Sequence, residues 1–281
     1  FVSLIFAGCL AISSTSMIIR TVNDLSLQHR HFVSRIYGLL VLEDLVAILF
    51  LTMLPLLAAG RGGFGSEVLF KGLWLLAIVW IWYVLGKVIA PMLLRLCDRY
   101  FTDESLLIVG VAVCLVFAVL LHRLGFSSAL GAFLMGSVFA EIGIGKRFAR
   151  LFWALKVFFS GVFFVTVGMM FDPTALLEQG IFILMLAFAV VLGKVFAVFW
   201  GVFFSGGSLR HALQCGLLMG QIGEFTFILS GTAVSLKILP PSSMSSFVGA
   251  AILTSLFTTF LATNLDRVVM TMEGLLPQGI L

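Results

Sequence analysis

Apolar residues fill this chain in nine long blocks, roughly 1–20, 34–59, 67–93, 105–123, 127–144, 149–171, 178–204, 211–236 and 245–268, with short polar connections between them. The blocks are about 18 residues or longer and do not alternate in polarity, so they predict membrane-spanning helices rather than barrel strands. No connection is long enough for a soluble domain. The chain begins at Phe1 inside an apolar run, without a methionine or a signal-peptide pattern. The expectation is a piece of a longer protein whose earlier helices lie upstream.

Basic residues set an orientation. Arg20, Arg30, Arg35, Arg95, Arg99, Lys146, Arg147, Arg150, Arg210 and Arg267 fall on one side, and Arg61, Arg123 and Lys237 on the other. The richer side is expected to be cytoplasmic, which puts the C-terminus inside. His29 and His31, flanking Arg30, read as part of a solvated loop. Glu67 and Lys71, one turn apart, read as a surface pair.

Two blocks are interrupted near mid-depth. The first holds Gly8 and then Ser13, Ser14, Thr15 and Ser16; the eighth holds Gly216, Gly220, Gly223 and Glu224 in GLLMGQIGEF. Serines that bond back to the helix and glycines that allow close packing would explain each alone. Taken with their placement, one beside an acidic helix and one beside a helix with a central lysine, they suit broken transporter helices.

The acidic helix is GLLVLEDLVAILFLTMLP, from Gly38 to Pro55, with Glu43 and Asp44 near its middle. One acid at that depth costs roughly 3 kcal/mol on insertion scales, so two call for a function. Adjacent helical residues point about 100° apart, so the pair cannot share one partner. One would then face a cavity and the other a buried counter-charge. The central lysine, Lys194, is too deep to snorkel easily, unlike Lys87 and Lys156. The mid-membrane anions open to it are Glu43, Asp44 and Glu224. Glu224 itself reads equally as a titrating site, a packing anchor or a charge neutralised by a helix N-terminus.

Composition confirms the class: 61% hydrophobic and 11% charged, with a mean hydropathy of +1.20. The net charge of +4 is explained by the basic connections and gives no reason to expect nucleic acid. Cys9, Cys97, Cys114 and Cys215 have no metal-site or disulfide-framework spacing. No His-Glu-x-x-His or Gly-x-Ser-x-Gly pattern supports an enzyme. A gated potassium-channel-like system and a non-transporting sensor or structural subunit remain as alternatives. The channel lacks a TVGYG-like run, and the subunit leaves the buried charges unexplained.

The serine run, the acidic pair, FFVTVGM from Phe163 to Met169, the GK helix and QIGEF together resemble the cation:proton antiporter-2 family. That family includes the Kef-type potassium systems and the Nap- and Nha-type sodium antiporters. The resemblance covers nearly the whole chain. It implies an all-α polytopic membrane protein with the Nha-type fold, built from inverted repeats with two crossing discontinuous helices. Residues 1–59 and 178–270 would form the ion-transporting core, 67–93 a linker helix, 105–171 part of a dimerisation domain, and 271–281 a tail. It also implies a homodimer in the inner membrane, exchanging Na⁺ or K⁺ for protons without a cofactor. Kef systems add a cytoplasmic regulatory domain that is absent from these residues. By the resemblance Asp44 is the cation- and proton-binding aspartate, Glu43 its neighbour, Lys194 the membrane lysine, and Ser13, Ser14 and Thr15 the helix-crossing residues. With Asp44 so assigned, Glu43 is the expected partner of Lys194 and Glu224 the next candidate, and about three or four helices are expected upstream. Gln221 and Glu224 of QIGEF are possible auxiliaries. The Glu-Asp pair departs from the Asp-Asp, Asn-Asp and Gln-Asp pairs of the family's branches, so ion choice and stoichiometry stay open.

Overall fold

The computed structural model describes residues 2–59, 102–124, 126–141 and 145–274, with a few single positions between 70 and 81. The expected linker helix 67–93, with Glu67, Lys71 and Lys87, therefore lies almost wholly outside the described residues, as do Arg95, Arg99, Cys97 and 275–281 of the tail. The described chain is helical: α1 Val2–Leu10, α2 Thr15–Asp24, α3 His31–Ala59, α4 Asp103–Arg123, α5 Ser128–Glu141, α6 Gly145–Met169, α7 Thr174–Phe204, α8 Leu209–Leu218, α9 Glu224–Ser235, α10 Ser242–Thr263 and α11 Leu265–Gly274. Six stretches among these residues are long and apolar enough to cross a membrane; one of them is Val2–Asp24, which contains α1 and α2. This is an all-α polytopic membrane protein.

One expected span is described in part and another is altered. Within the 127–144 block, of which 142–144 lie outside the described residues, the described helix is α5, of 14 residues, about 21 Å at 1.5 Å per residue. Its start is fixed by Ser127, whose hydroxyl accepts from the Ala129 N–H at 3.2 Å. The last block ends at Thr263, and Asn264 turns the chain into α11. That short amphipathic helix buries Leu265 and Val269. Its Asp266 accepts from Arg30 at 3.1 Å and lies 3.8 Å from Arg210, two residues assigned above to the same side. Each of these half-exposed pairs contributes at most about 1 kcal/mol, so the apolar side of α11 does more to hold it.

The chain divides into two compact units, 1–47 with 167–281, and 48–166. The first holds α1, α2, the opening half of α3 and α7 to α11. One apolar cluster in it gathers Ile18 and Val22 of α2, Phe32, Ile36 and Leu40 of α3, Leu217 and Leu218 of α8 and Val269 of α11. At the start of α7, Thr174 donates to Asp172 through its N–H at 2.9 Å and its hydroxyl at 2.7 Å. These bonds hold the exposed Asp172 carboxyl below the usual carboxylate range.

The second unit is built on α4 and α5, with most of α6. Gly131 of α5 lies against the Phe117 and Ala118 backbone of α4 so closely that a Cβ would overlap it, the small-residue contact that membrane helices use in place of a hydrophobic drive. Phe139 stacks on Phe148 with ring centroids 4.3 Å apart. Arg147 donates to Asp103 at the start of α4 at 2.6 Å. Within this unit α6 shows large apolar side chains, among them Trp153, Phe158, Phe159 and Val165, on its exposed surface. That is the surface of a helix built to meet lipid or another protein.

Candidate functional site

Two pairs of short helices, α1 with α2 and α8 with α9, are each separated by a non-helical segment, 11–14 and 219–223. Breaking a helix in an apolar setting frees backbone groups, and every one must find a partner. Here the two segments supply much of each other's need. Gly223 N–H donates to the Ile12 carbonyl at 2.8 Å, and the Ser13 hydroxyl donates to the Met219 carbonyl at 3.1 Å. Gly223 is required at this contact, since a Cβ there would run into the Ser13 carbonyl oxygen. The Thr226 hydroxyl donates to the Cys9 carbonyl at the end of α1.

Charged side chains bind further groups in and beside the two segments. Glu43 accepts from the Ser13 N–H at 2.7 Å. Glu224, the first residue of α9, accepts from the Ser14 hydroxyl at 2.7 Å and the Ser16 hydroxyl at 3.0 Å. Its position also sets a negative charge at the positive end of a helix. Ser14 caps α2 at the same time, accepting from the Met17 N–H at 3.3 Å. The Thr15 hydroxyl donates to Asp44, at 3.1 Å from Oδ2 and 3.3 Å from Oδ1. Glu43 and Asp44 are half-buried and reach different residues, Ser13 inside the first interruption and Thr15 at the start of α2.

Lys194 is 7% exposed, and its ammonium donates to the Gln221 carbonyl at 2.8 Å. The expected ion pair with Glu43 is not made, and neither is one with Glu224. Among the described residues Lys194 has no carboxylate at ion-pair distance. The physical reason lies in the interruptions: the freed Ser13 N–H claims Glu43 and the freed Gln221 carbonyl claims the lysine. Sequence reasoning weighed charges against charges and overlooked that a broken helix offers neutral partners of its own.

Ser13, Ser14, Thr15, Glu43, Asp44, Lys194, Gln221 and Glu224 thus all meet in one unit around the two interruptions. The sequence reading missed Thr254 of α10, whose hydroxyl accepts from the Ile222 N–H at 3.2 Å, and gave no partner to Ser16. The serine run was a visible signal for Ser16; a lone threonine in an apolar helix gave none for Thr254.

The arrangement yields a first prediction. Lys194→Met should destabilise the protein by about 1–3 kcal/mol, because a buried carbonyl loses its donor. Adding Glu43→Gln, which keeps an acceptor for Ser13, should restore little of it. Full recovery in a thermal-shift double-mutant cycle would instead reveal a direct bridge.

Interrupted helices holding carboxylates at their junction are a feature of ion-coupled membrane transporters. Residues 1–265 match the family model described as sodium/hydrogen exchanger, transmembrane, and the chain belongs to that family. It is similar to "Putative cation/proton antiporter YbaL" of Escherichia coli strain K12, 31% identical over 99% of this chain and 51% of that protein. It is also similar to the chloroplastic K(+) efflux antiporter 2 of Arabidopsis thaliana, 28% identical over 86% of this chain and 21% of that protein. A third relative, the Na(+)/H(+) antiporter of Enterococcus hirae, is 28% identical over 81% of this chain and 60% of that protein. The chain spans about half of the first relative and less of the second.

Proposed function

We propose that the protein exchanges a monovalent cation, Na⁺ or K⁺, for protons by alternating access, with Asp44 as the group that carries either cargo. The observation that supports it most is the half-buried Asp44 carboxylate held by the Thr15 hydroxyl where a helix is interrupted. A carboxylate and a hydroxyl are hard oxygen ligands, suited to an alkali cation. Protonated, the same carboxyl is neutral and lets the ion go. Both loaded states present a nearly neutral site, which can change sides at far lower cost than a bare anion.

Glu43 and Glu224 have a different part in this reading. Each holds the interruption by accepting from it, and each keeps Thr15 aimed at Asp44. The residues assigned to the core, 1–59 and 178–270, include every group of the site. Pairing of two copies through 105–171 is supported by the apolar exposed surface of α6. The names of the relatives support an antiporter, the inner membrane is the setting that the resemblance implies, and the excess of basic residues supports a cytoplasmic C-terminus.

The test is ion-driven proton movement in proteoliposomes of the full-length protein. Imposed Na⁺ or K⁺ gradients should each be tried against an internal pH dye, and at least one should move protons in the opposite direction. Cation flux without any proton movement would favour a channel and overturn the proposal.

A further inference from the structure

Two buried oxygens play no part in the site described above. Among the described residues, Gln221 Oε1 and Thr258 Oγ1 are the buried side-chain atoms without a hydrogen-bond partner, in residues only 3% and 5% exposed. Both residues line one small cavity of about 10 Å³, bordered also by Thr21 of α2 and Ser255 and Thr259 of α10. Buried polar atoms left unpaired are costly, and two of them on one cavity point to a shared ligand.

We propose that this cavity is a one-water site, whose water donates to Gln221 Oε1 and Thr258 Oγ1 and so ties the second interruption to α10. The volume is at the lower limit for one water and leaves no room for a hydrated ion. The oxygens are neutral, and no carboxylate is among the residues lining the cavity. The Lys194 ammonium also sits on the carbonyl of the same Gln221, so a bare cation there would meet a positive charge.

The consequence is a clamp on Lys194. Gln221 accepts from the lysine with its backbone carbonyl and is anchored through its side chain. One residue on, Ile222 N–H is held by Thr254, one helical turn before Thr258. Thr254 and Thr258 thus secure the segment from one face of α10, the first directly and the second through water. In the exchange reading, on which this role rests, Thr258 is a positioning residue for Lys194.

X-ray radiolytic labelling of the full-length protein in lipid tests the water itself, without reference to transport. Ile18 and Leu218 line the cavity and are 1% exposed, whereas Leu229 is 0% exposed and lies away from it. Leu218 should be labelled well above Leu229. Thr258→Val should cut that labelling several-fold, and Thr258→Ser should retain it. Equal labelling of Leu218 and Leu229 in the wild type, a comparison that needs no variant, would overturn the site. So would loss of the label in saturating Na⁺ or K⁺, which would make the occupant a cation. The same measurement in Asp44→Asn should be unchanged, so a failure of the exchange reading would not touch it. The role is tested by the pH profile of cation-driven proton movement: Thr258→Val should displace it and Thr258→Ser should restore it. An unmoved profile in Thr258→Val, with the label lost, would overturn the positioning role.

Discussion

Asp44→Asn is expected to reduce cation-driven proton movement to background while the protein stays folded. Asparagine keeps the size of the side chain and an oxygen to accept from Thr15, now at 3.1 Å from Asp44 Oδ2. It can neither release a proton nor offer a full negative charge, so both cargoes lose their carrier. The loss should appear in the rate at every pH, because no change of pH restores a titrating group. Thermal unfolding should stay cooperative, since asparagine keeps the hydrogen bond from Thr15. Thr15→Val should act more mildly, weakening the apparent cation affinity and leaving a measurable rate. Near-normal, pH-dependent exchange by Asp44→Asn would remove this residue from the mechanism.

A second large effect is expected at Gly223. A Cβ there would lie 2.5 Å from the Ser13 carbonyl carbon and 2.9 Å from the Ser14 nitrogen. These are backbone atoms held by several hydrogen bonds, so no side chain can swing aside. Gly223→Ala must push the two interruptions apart and stretch the bond from Gly223 to Ile12. Overpacking of this kind costs about 1–3 kcal/mol or more, and the melting temperature should fall by several degrees. Exchange should fall further than stability, because Ser13, Glu43 and Thr15 are all set by the same contact. Gly231→Ala is the control. It lies inside α9 with nothing within 4 Å of the added carbon, and there alanine should be neutral or gain up to about 1 kcal/mol. Similar losses in both variants would show that the segments do not approach so closely.

Much of the site could be read from residue order because burial of charge in a membrane is so costly. That cost singled out Glu43, Asp44 and Lys194 before any partner was known. The serine and glycine runs marked where helical hydrogen bonding would fail, and the helices stop at Leu10 and Leu218 and resume at Thr15 and Glu224. What could not be read was which acceptor each donor would take. A sequence shows the side chains on offer but not the backbone groups that an interruption releases. For that reason the Glu43–Lys194 pair was expected and the Ser13 and Gln221 partners were not. The turn at Asn264 was obscured for a related reason: apolar composition continues past the point where α10 ends.

The sequence by itself determined that this is a multi-span helical membrane protein, and which spans carry charge. Hydrophobic length and the penalty on buried ions act locally along the chain, so they leave a local record. Only the tertiary structure decided how the two interruptions satisfy each other, that Glu224 is bound by Ser14 and Ser16, and that Lys194 rests on a carbonyl. Those choices depend on residues some 30 to 210 positions apart, whose competition for hydrogen bonds is settled only when the helices pack.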